Sequence, residues 1–226
     1  MSVTDKFLKR SVLTSAECER WVRGIYAARA AWTPCFHGVQ FTLGRAYYTH
    51  LEEGAADEYF ARATQSDAVV ERAVPGLQDH VRALMAELLG EPVTPRVGWC
   101  GPGVHIFPAG GWLAQNGGDV HFDTEGLRHA ELAARVPALS AILMLQSPPT
   151  GGGLRVWDAL WDGDDSDAAI DRAARAPSTV VTYDRGDLVV IDSYRLHQIQ
   201  PFDGAHDRVS VTEHLVFSEG RWQAWF

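Results

Sequence analysis

Two histidines and an aspartate in the C-terminal half of this 226-residue chain have the types needed to hold a divalent metal: His121, Asp123 and His197. Two imidazoles and one carboxylate can occupy one face of an iron ion and leave the opposite face open. His121 and Asp123 are two residues apart, so on a strand their side chains point the same way. One local segment then supplies two ligands and needs a third from elsewhere. Alone, such a triplet says little in a chain with 9 histidines and 29 acidic residues. His197 adds weight, because it follows the turn and buried strand Gly186-Asp187-Leu188-Val189-Val190-Ile191-Asp192 and is expected at that strand's far end. The rivals are weaker. His206 lies in a turn two residues before Arg208, and His214 is expected too deep along its strand to share the mouth.

Arg208 and Ser210 point to a second ligand. On the run RVSVTEHLVF, Arg208, Ser210 and Thr212 share one face, while Val209, Val211 and Leu215 share the other. A guanidinium on an inward face needs an anion, since burying it unpaired costs several kcal/mol. Its planar fork matches a carboxylate. A diacid held next to the metal satisfies both conditions.

Helices and strands must hold these residues in place. Thr14 and Glu17 are spaced as a capping box, and Trp21, Ile25 and Ala28 follow on one face, so a helix is expected over roughly 15–30. A second helix is expected after Pro75, where Leu77, Val81, Leu84, Met85 and Leu88 recur at helical spacing before Gly90. Phe41 to Thr49 is aromatic and β-branched and reads as a strand. After residue 95, short runs alternate with glycine-rich turns: VGWC, GVHIF, GDVHFD, SAILML, GLRVWD, STVVTY, DLVVID and RVSVTEHLVF. Many short strands of this kind indicate a β-sandwich or barrel. Gly151-Gly152-Gly153 lacks the Lys-Ser/Thr of a phosphate loop and reads as a turn. The segment Asp162 to Asp167 has its residues in the wrong order for a calcium loop and reads as a solvated insertion.

Composition narrows the class. With 46% hydrophobic residues the chain can bury one sizeable core, and one domain is expected. A net charge of −9 with no basic run argues against a nucleic-acid partner. Cys18, Cys35 and Cys100 are far apart and form no CxxC pair, which suggests reduced thiols in a cytoplasmic protein. The N-terminal run MSVTDKFLKRSV has charges but no apolar core, unlike a secretory signal. No stretch approaches the roughly 18 apolar residues that span a bilayer.

The pattern His121-x-Asp123, His197, Arg208-x-Ser210 resembles the Fe(II)/2-oxoglutarate-dependent dioxygenases, and its layout is most similar to their prolyl-4-hydroxylase-like branch. Gly152-Gly153-Leu154 and GDLVVIDSYRLHQIQPF followed by RVSVTEHLVF carry the same resemblance. It implies a mainly β fold, a double-stranded β-helix (jelly roll) with N-terminal α-helices packed on it. Residues 1–226 would form a single oxygenase domain, with 1–94 as helical support and 95–217 as the β-helix core. His121, Asp123 and His197 would bind Fe(II), Arg208 would pair with the distal carboxylate of 2-oxoglutarate, and Ser210 would add a hydrogen bond. O2 and 2-oxoglutarate would be consumed together, with decarboxylation to succinate and attack on a substrate C–H bond. The prolyl hydroxylases proper carry lysine where Arg208 stands, so the resemblance does not extend to a peptidyl-proline substrate. Related halogenases have a small residue in place of the carboxylate, so Asp123 implies hydroxylation over halogenation.

The expected substrate is a small molecule, an amino acid or a specialised metabolite. A peptide or protein side chain is the alternative, as are desaturation, epoxidation and cyclisation on the same ligands. A non-catalytic ligand-binding β-sandwich ranks below these, because it leaves Arg208 without a carboxylate. His105, Trp112, Gln115, Asn116, Arg155 and Trp157 are candidates to line the substrate pocket, and Trp99 has a similar claim. Residues 50–75 and 110–119 are candidates for a lid. Asp192 either orients an imidazole or caps a turn.

Overall fold

Apolar residues at alternate positions along the C-terminal half build two sheets that enclose a common interior. The computed structural model describes residues 7–226, so residues 1–6 of the charged N-terminal run lie outside the described residues. The N-terminal part runs β1 (Phe7–Ser11), α1 (Ser15–Ala27), β2 (Thr33–Cys35), β3 (Gln40–Leu43), α2 (Tyr47–Glu52), α3 (Ala56–Ala61), α4 (Ala63–Ala73) and α5 (Leu77–Leu89). It continues through β4 (Val93–Pro95), β5 (Gly103–Phe107), α6 (Trp112–Asn116), α7 (His129–Ala134), β6 (Ala138–Gln146), β7 (Thr150–Gly151) and β8 (Leu154–Leu160). The rest is α8 (Asp167–Ala173), β9 (Ser178–Val181), β10 (Asp187–Asp192), β11 (Arg195–Ile199), β12 (Phe202–Asp203), β13 (Arg208–Ser218) and β14 (Arg221–Trp225).

The larger sheet has the order β1-β10-β6-β13-β5-β3-β2, with β14 joining β13 to β4. The smaller one is β11-β8-β9, and β12 pairs with β7 beside it. Ile142, Met144, Val189 and Ile191 of the larger sheet pack against Leu154, Val156 and Val181 of the smaller one, which closes the jelly roll. The other face of the larger sheet takes Val104, Ile106, Val209 and Val211 onto Trp21, Ile25, Val70, Val81 and Met85 of the helices. Burying each such side chain stabilises the fold by about 1.5–3 kcal/mol. Gly24 makes this layer possible, because a Cβ there would stand 2.4 Å from the Ala73 carbonyl oxygen.

The helical layer shows the predicted start and stop signals. Thr14 accepts from the Glu17 backbone N–H, Glu17 reaches back to the Thr14 backbone, and α5 ends at Gly90 with φ of 70°. Three expectations change. Residues 1–94 are not simply a helical support, since β1 to β4 all join the larger sheet. The strand expected over 41–49 stops at Leu43, because Gly44 turns the chain at φ of +91° and Tyr47–Glu52 then coils into α2. VGWC forms no strand, and GDVHFD contributes only a single bridge, His121 to His197. The acidic segment is exposed as expected, but Ser166 caps a short helix at its end by accepting from the Ala169 N–H.

Candidate metal centre and co-substrate pocket

His121 and His197 are held opposite one another by the backbone. Each one's N–H donates to the other's carbonyl, at 3.1 and 3.0 Å, and the ring centroids are 4.3 Å apart. The Asp123 N–H donates to the Ser193 carbonyl at 2.9 Å, which brings its carboxylate to the same point. Ligand atoms of the three residues all lie within 4.8 Å of one another. His197 therefore sits on β11, one strand after the position expected for it, and is placed by antiparallel pairing with β8.

The imidazole tautomers suit a metal. Nδ1 of His121 lies 2.9 Å from the Asp119 carbonyl, and Nδ1 of His197 lies 2.9 Å from that of Arg195. A carbonyl only accepts, so Nδ1 carries the proton in each ring and Nε2 keeps its lone pair for a cation. Both Nε2 atoms point at the Asp123 carboxylate, at 3.4 and 3.3 Å. Burial opposes ionisation of Asp123, but the neighbouring histidines outweigh it and hold the carboxyl well below its ordinary range. Burial likewise opposes charge on His121, yet the Asp123 hydrogen bond and charge raise it to about 9. A metal ion bound by this triad would take the place of the extra proton on His121.

His214 stands behind the triad. It lines the same cavity, contrary to the expectation that it lies too deep, with Nδ1 3.9 Å from Asp123 Oδ2 and 3.2 Å from Ser140 Oγ. Its ring stacks on Trp225 at 5.7 Å. Asp192 has the turn role: its Oδ1 accepts from the Tyr194 N–H at 2.9 Å.

Arg208 is 1% exposed and lines the cavity. Its Nε donates to the Gly152 carbonyl and its Nη1 to Ser210 Oγ, both at 3.1 Å. The rings of Phe107 and Tyr183 lie 5.4 Å from the guanidinium carbon. Among the described residues no carboxylate pairs with it. Burial lowers its basicity, but an arginine does not give up its proton in a protein. A buried, charged fork with no anion beside a ligand triad is the complement of a dicarboxylate.

The cavity has a volume of about 420 Å³. His105 and Trp112, two of the substrate candidates, are on its wall. His105 is 5% exposed, its Nδ1 has no partner, and burial pushes it down to about 3, so the imidazole is neutral. The other four candidates are spent elsewhere. Gln115 donates to the Gly110 carbonyl and Asn116 to that of Trp112. Arg155 bonds Gln200 and Ser178, while Trp157 donates to the Ala174 carbonyl within a separate apolar cluster. Trp99 packs among Tyr47, Tyr59, Phe60 and Trp225, away from the cavity. Of the lid candidates, 110–119 contributes Trp112, Leu113, Gly118 and Asp119, but 50–75 contributes Glu52 alone.

Other wall residues carried no sequence signal. Phe36, Val39, Gln40 and Tyr48 come from β3, α2 and the turn before them, and Glu125 from the loop after the ligand pair. That loop is held from behind by Arg96, which is buried between Trp99 and Trp225 at 4.5 and 4.8 Å. Arg96 donates to the Gly126 carbonyl and pairs with Glu131 at 2.8 Å, and Glu131 also accepts from the Arg128 N–H.

Comparison with known proteins gives one family model and several shared folds. A family model described as carrier-protein-independent halogenase WelO5 matches residues 116–226. The structure resembles the N-substituted L-amino acid dioxygenase from Burkholderia ambifaria AMMD, solved with alpha-ketoglutarate. That match has a TM-score of 0.59 and 14% identity over 98% of this chain and 86% of that one. It also resembles the alpha-ketoglutarate-dependent carbocyclase SnoK of nogalamycin biosynthesis (TM-score 0.61, 14% identity, 93% and 82% of the two chains). The epimerase SnoN, solved with Fe3+, alpha-ketoglutarate and nogalamycin RO, gives a TM-score of 0.55 at 15% identity, over 92% and 77%. No curated protein matches the chain. These likenesses show a shared fold.

Proposed function

We propose that this chain is an Fe(II)/2-oxoglutarate-dependent oxygenase that hydroxylates an unactivated C–H bond of a small molecule. The observation that carries the reading is Arg208: a buried guanidinium without an anion, on the wall of the cavity that also holds the His121, Asp123 and His197 triad. The triad would hold Fe(II), and Arg208 with Ser210 would hold the distal carboxylate of 2-oxoglutarate. Together these groups supply oxygen activation coupled to decarboxylation to succinate.

The chain's own residues bind, orient and exclude water. The strand β13 sets Arg208 and Ser210 two residues apart on one face, with His105 opposite Ser210 on β5. Phe107, Ile142, Leu154 and Ile199 dry the walls, which strengthens every charge interaction inside. A C–H bond would have to be held still beside the metal, and the apolar part of the cavity wall would do this by restricting the substrate before reaction.

A halogenating outcome is the second reading, favoured by the family model that matches residues 116–226. Asp123 weighs against it, since its carboxylate would hold the metal where a halide would otherwise bind. Three buried, unpaired cysteines support a reducing, cytoplasmic setting; among the described residues, no helix is long and apolar enough to cross a membrane.

The test is substrate-screened succinate formation under Fe(II), 2-oxoglutarate and O2, in chloride-containing buffer, with mass analysis of products. Iron-dependent succinate with a product gaining one oxygen supports hydroxylation. A chlorinated product overturns that choice, and succinate formation undiminished in Asp123→Ala overturns the site.

A further inference from the structure

Charge is distributed unevenly around the cavity. Arg208 is the one Lys or Arg on its wall among the described residues. Glu52, Asp119 and Glu125 are on the wall as well. None of these three forms an ion pair, or a side-chain hydrogen bond to another residue, among the described residues. They gather around His121, near enough for the charge of Asp119 to act on Glu52 and that of Glu52 on Glu125. With metal and diacid in place, the inner end is neutral. Two positive charges from the metal and one from Arg208 face one negative charge from Asp123 and two from the diacid. Glu52 and Asp119 are then left without a counter-charge, and so is Glu125 once a cation draws off the proton that burial favours on it.

A second observation points the same way. His105 is buried on the cavity wall with Nδ1 unpartnered, and no hydrogen bond of the described residues uses its ring. A neutral imidazole offers an acceptor to an N–H group. Phe36, Tyr48 and Trp112 add aromatic faces to the same wall, which attract cations. Trp112 is 54% exposed.

The geometry points to a cationic amine as substrate, with an apolar body among Phe36, Val39 and Trp112 and an ammonium head held by Glu52, Asp119 and Glu125. This rests on the oxygenase reading of the site, because the charge count requires metal and diacid within. His105 receives a polar N–H of the same molecule.

Binding to the assembled protein tests it without turnover. The holoprotein with Mn(II) and 2-oxoglutarate, free of O2, is titrated calorimetrically with phenethylamine, 2-phenylethanol and phenylacetate at neutral pH. Phenethylamine is expected to bind about tenfold tighter than the alcohol, a difference of about 1.4 kcal/mol, and phenylacetate most weakly. In Glu52→Gln and in Asp119→Asn the preference for the amine should fall several-fold, while Mn(II) and 2-oxoglutarate bind as before. Equal binding of the three probes overturns the inference. So does an amine preference that survives in both variants, since the metal would then be holding the nitrogen. If 2-oxoglutarate itself fails to bind, the oxygenase reading falls and takes the inference with it. Normal binding of 2-oxoglutarate without amine preference sinks the inference alone.

Discussion

Arg208 and Ser210 sit on β13, which is paired with β6 on one side and β5 on the other, whereas Glu52 and Trp112 sit on helices of 6 and 5 residues. Asp119 and Glu125 lie in loops on either side of His121 and Asp123. The inner end of the cavity is thus set by sheet register, and a one-residue slip there would turn Arg208 out of the site. The outer end is set by short helices and by loops, of which the one bearing Glu125 is anchored from behind by Arg96. An enzyme of this design can keep its oxidising end constant while the end that meets the substrate varies.

The contrast can be broken most severely at Asp123. Asp123→Ala should lower metal affinity more than about 100-fold and abolish turnover, read by metal titration and succinate release. Arg96→Met should follow, at about 3–5 kcal/mol of lost stability, because it leaves Glu131 buried and uncompensated. Thermal unfolding measures it, and a loss below about 1 kcal/mol would show that the loop beside the metal is not anchored there.

Arg208→Met separates binding from stability. Affinity for 2-oxoglutarate should fall about 100-fold, while the ligand-free protein melts at the same temperature or higher, since an unpaired buried charge is gone. A lower melting temperature without loss of affinity would place Arg208 in the structure rather than the site.

Glu213 tests the back of the same strand. Its carboxyl is fully buried with both oxygens unpartnered, and burial pushes it up to about 8 against the opposing charge of Arg82. The folded state therefore binds this proton more tightly than the unfolded chain does. Stability should decline as pH rises from the ordinary carboxyl range, near 4.5, to about 8, and level off above. Glu213→Gln should flatten that decline and gain about 1–3 kcal/mol on the alkaline side, measured by denaturant titration across pH. The smallest effect is expected at Trp112→Ala, within about 0.5 kcal/mol in stability but with a several-fold higher KM. A change in kcat at constant KM would move Trp112 from the outer end to the chemistry.

What could be read in the residues follows the same division. The alternation of Arg208, Ser210 and Thr212 with Val209 and Val211 is a period-2 signal that survives folding intact, and all three polar residues line the cavity. The capping box at Thr14 and the stop at Gly90 are equally local. Arg155 and Trp157 misled because alternation does not say which face of a strand turns inward. On β8 Leu154 lines the cavity, while Arg155 and Trp157, on the opposite face, go to Gln200 and Ala174. Tyr48 and Glu52 were invisible, because their place depends on how Gly44 ends β3 and starts the turn into α2.

Arg96 has a consequence that reaches the metal. It joins the carbonyl of Gly126, three residues from Asp123, to Glu131 and to the ring of Trp225 on the larger sheet. The segment bearing His121 and Asp123 therefore opens with the sheet as one cooperative unit rather than fraying by itself. Amide exchange in that segment should be as slow as in β13. Iron, by binding only the closed form, would then raise the unfolding free energy of the entire barrel in proportion to the logarithm of its concentration.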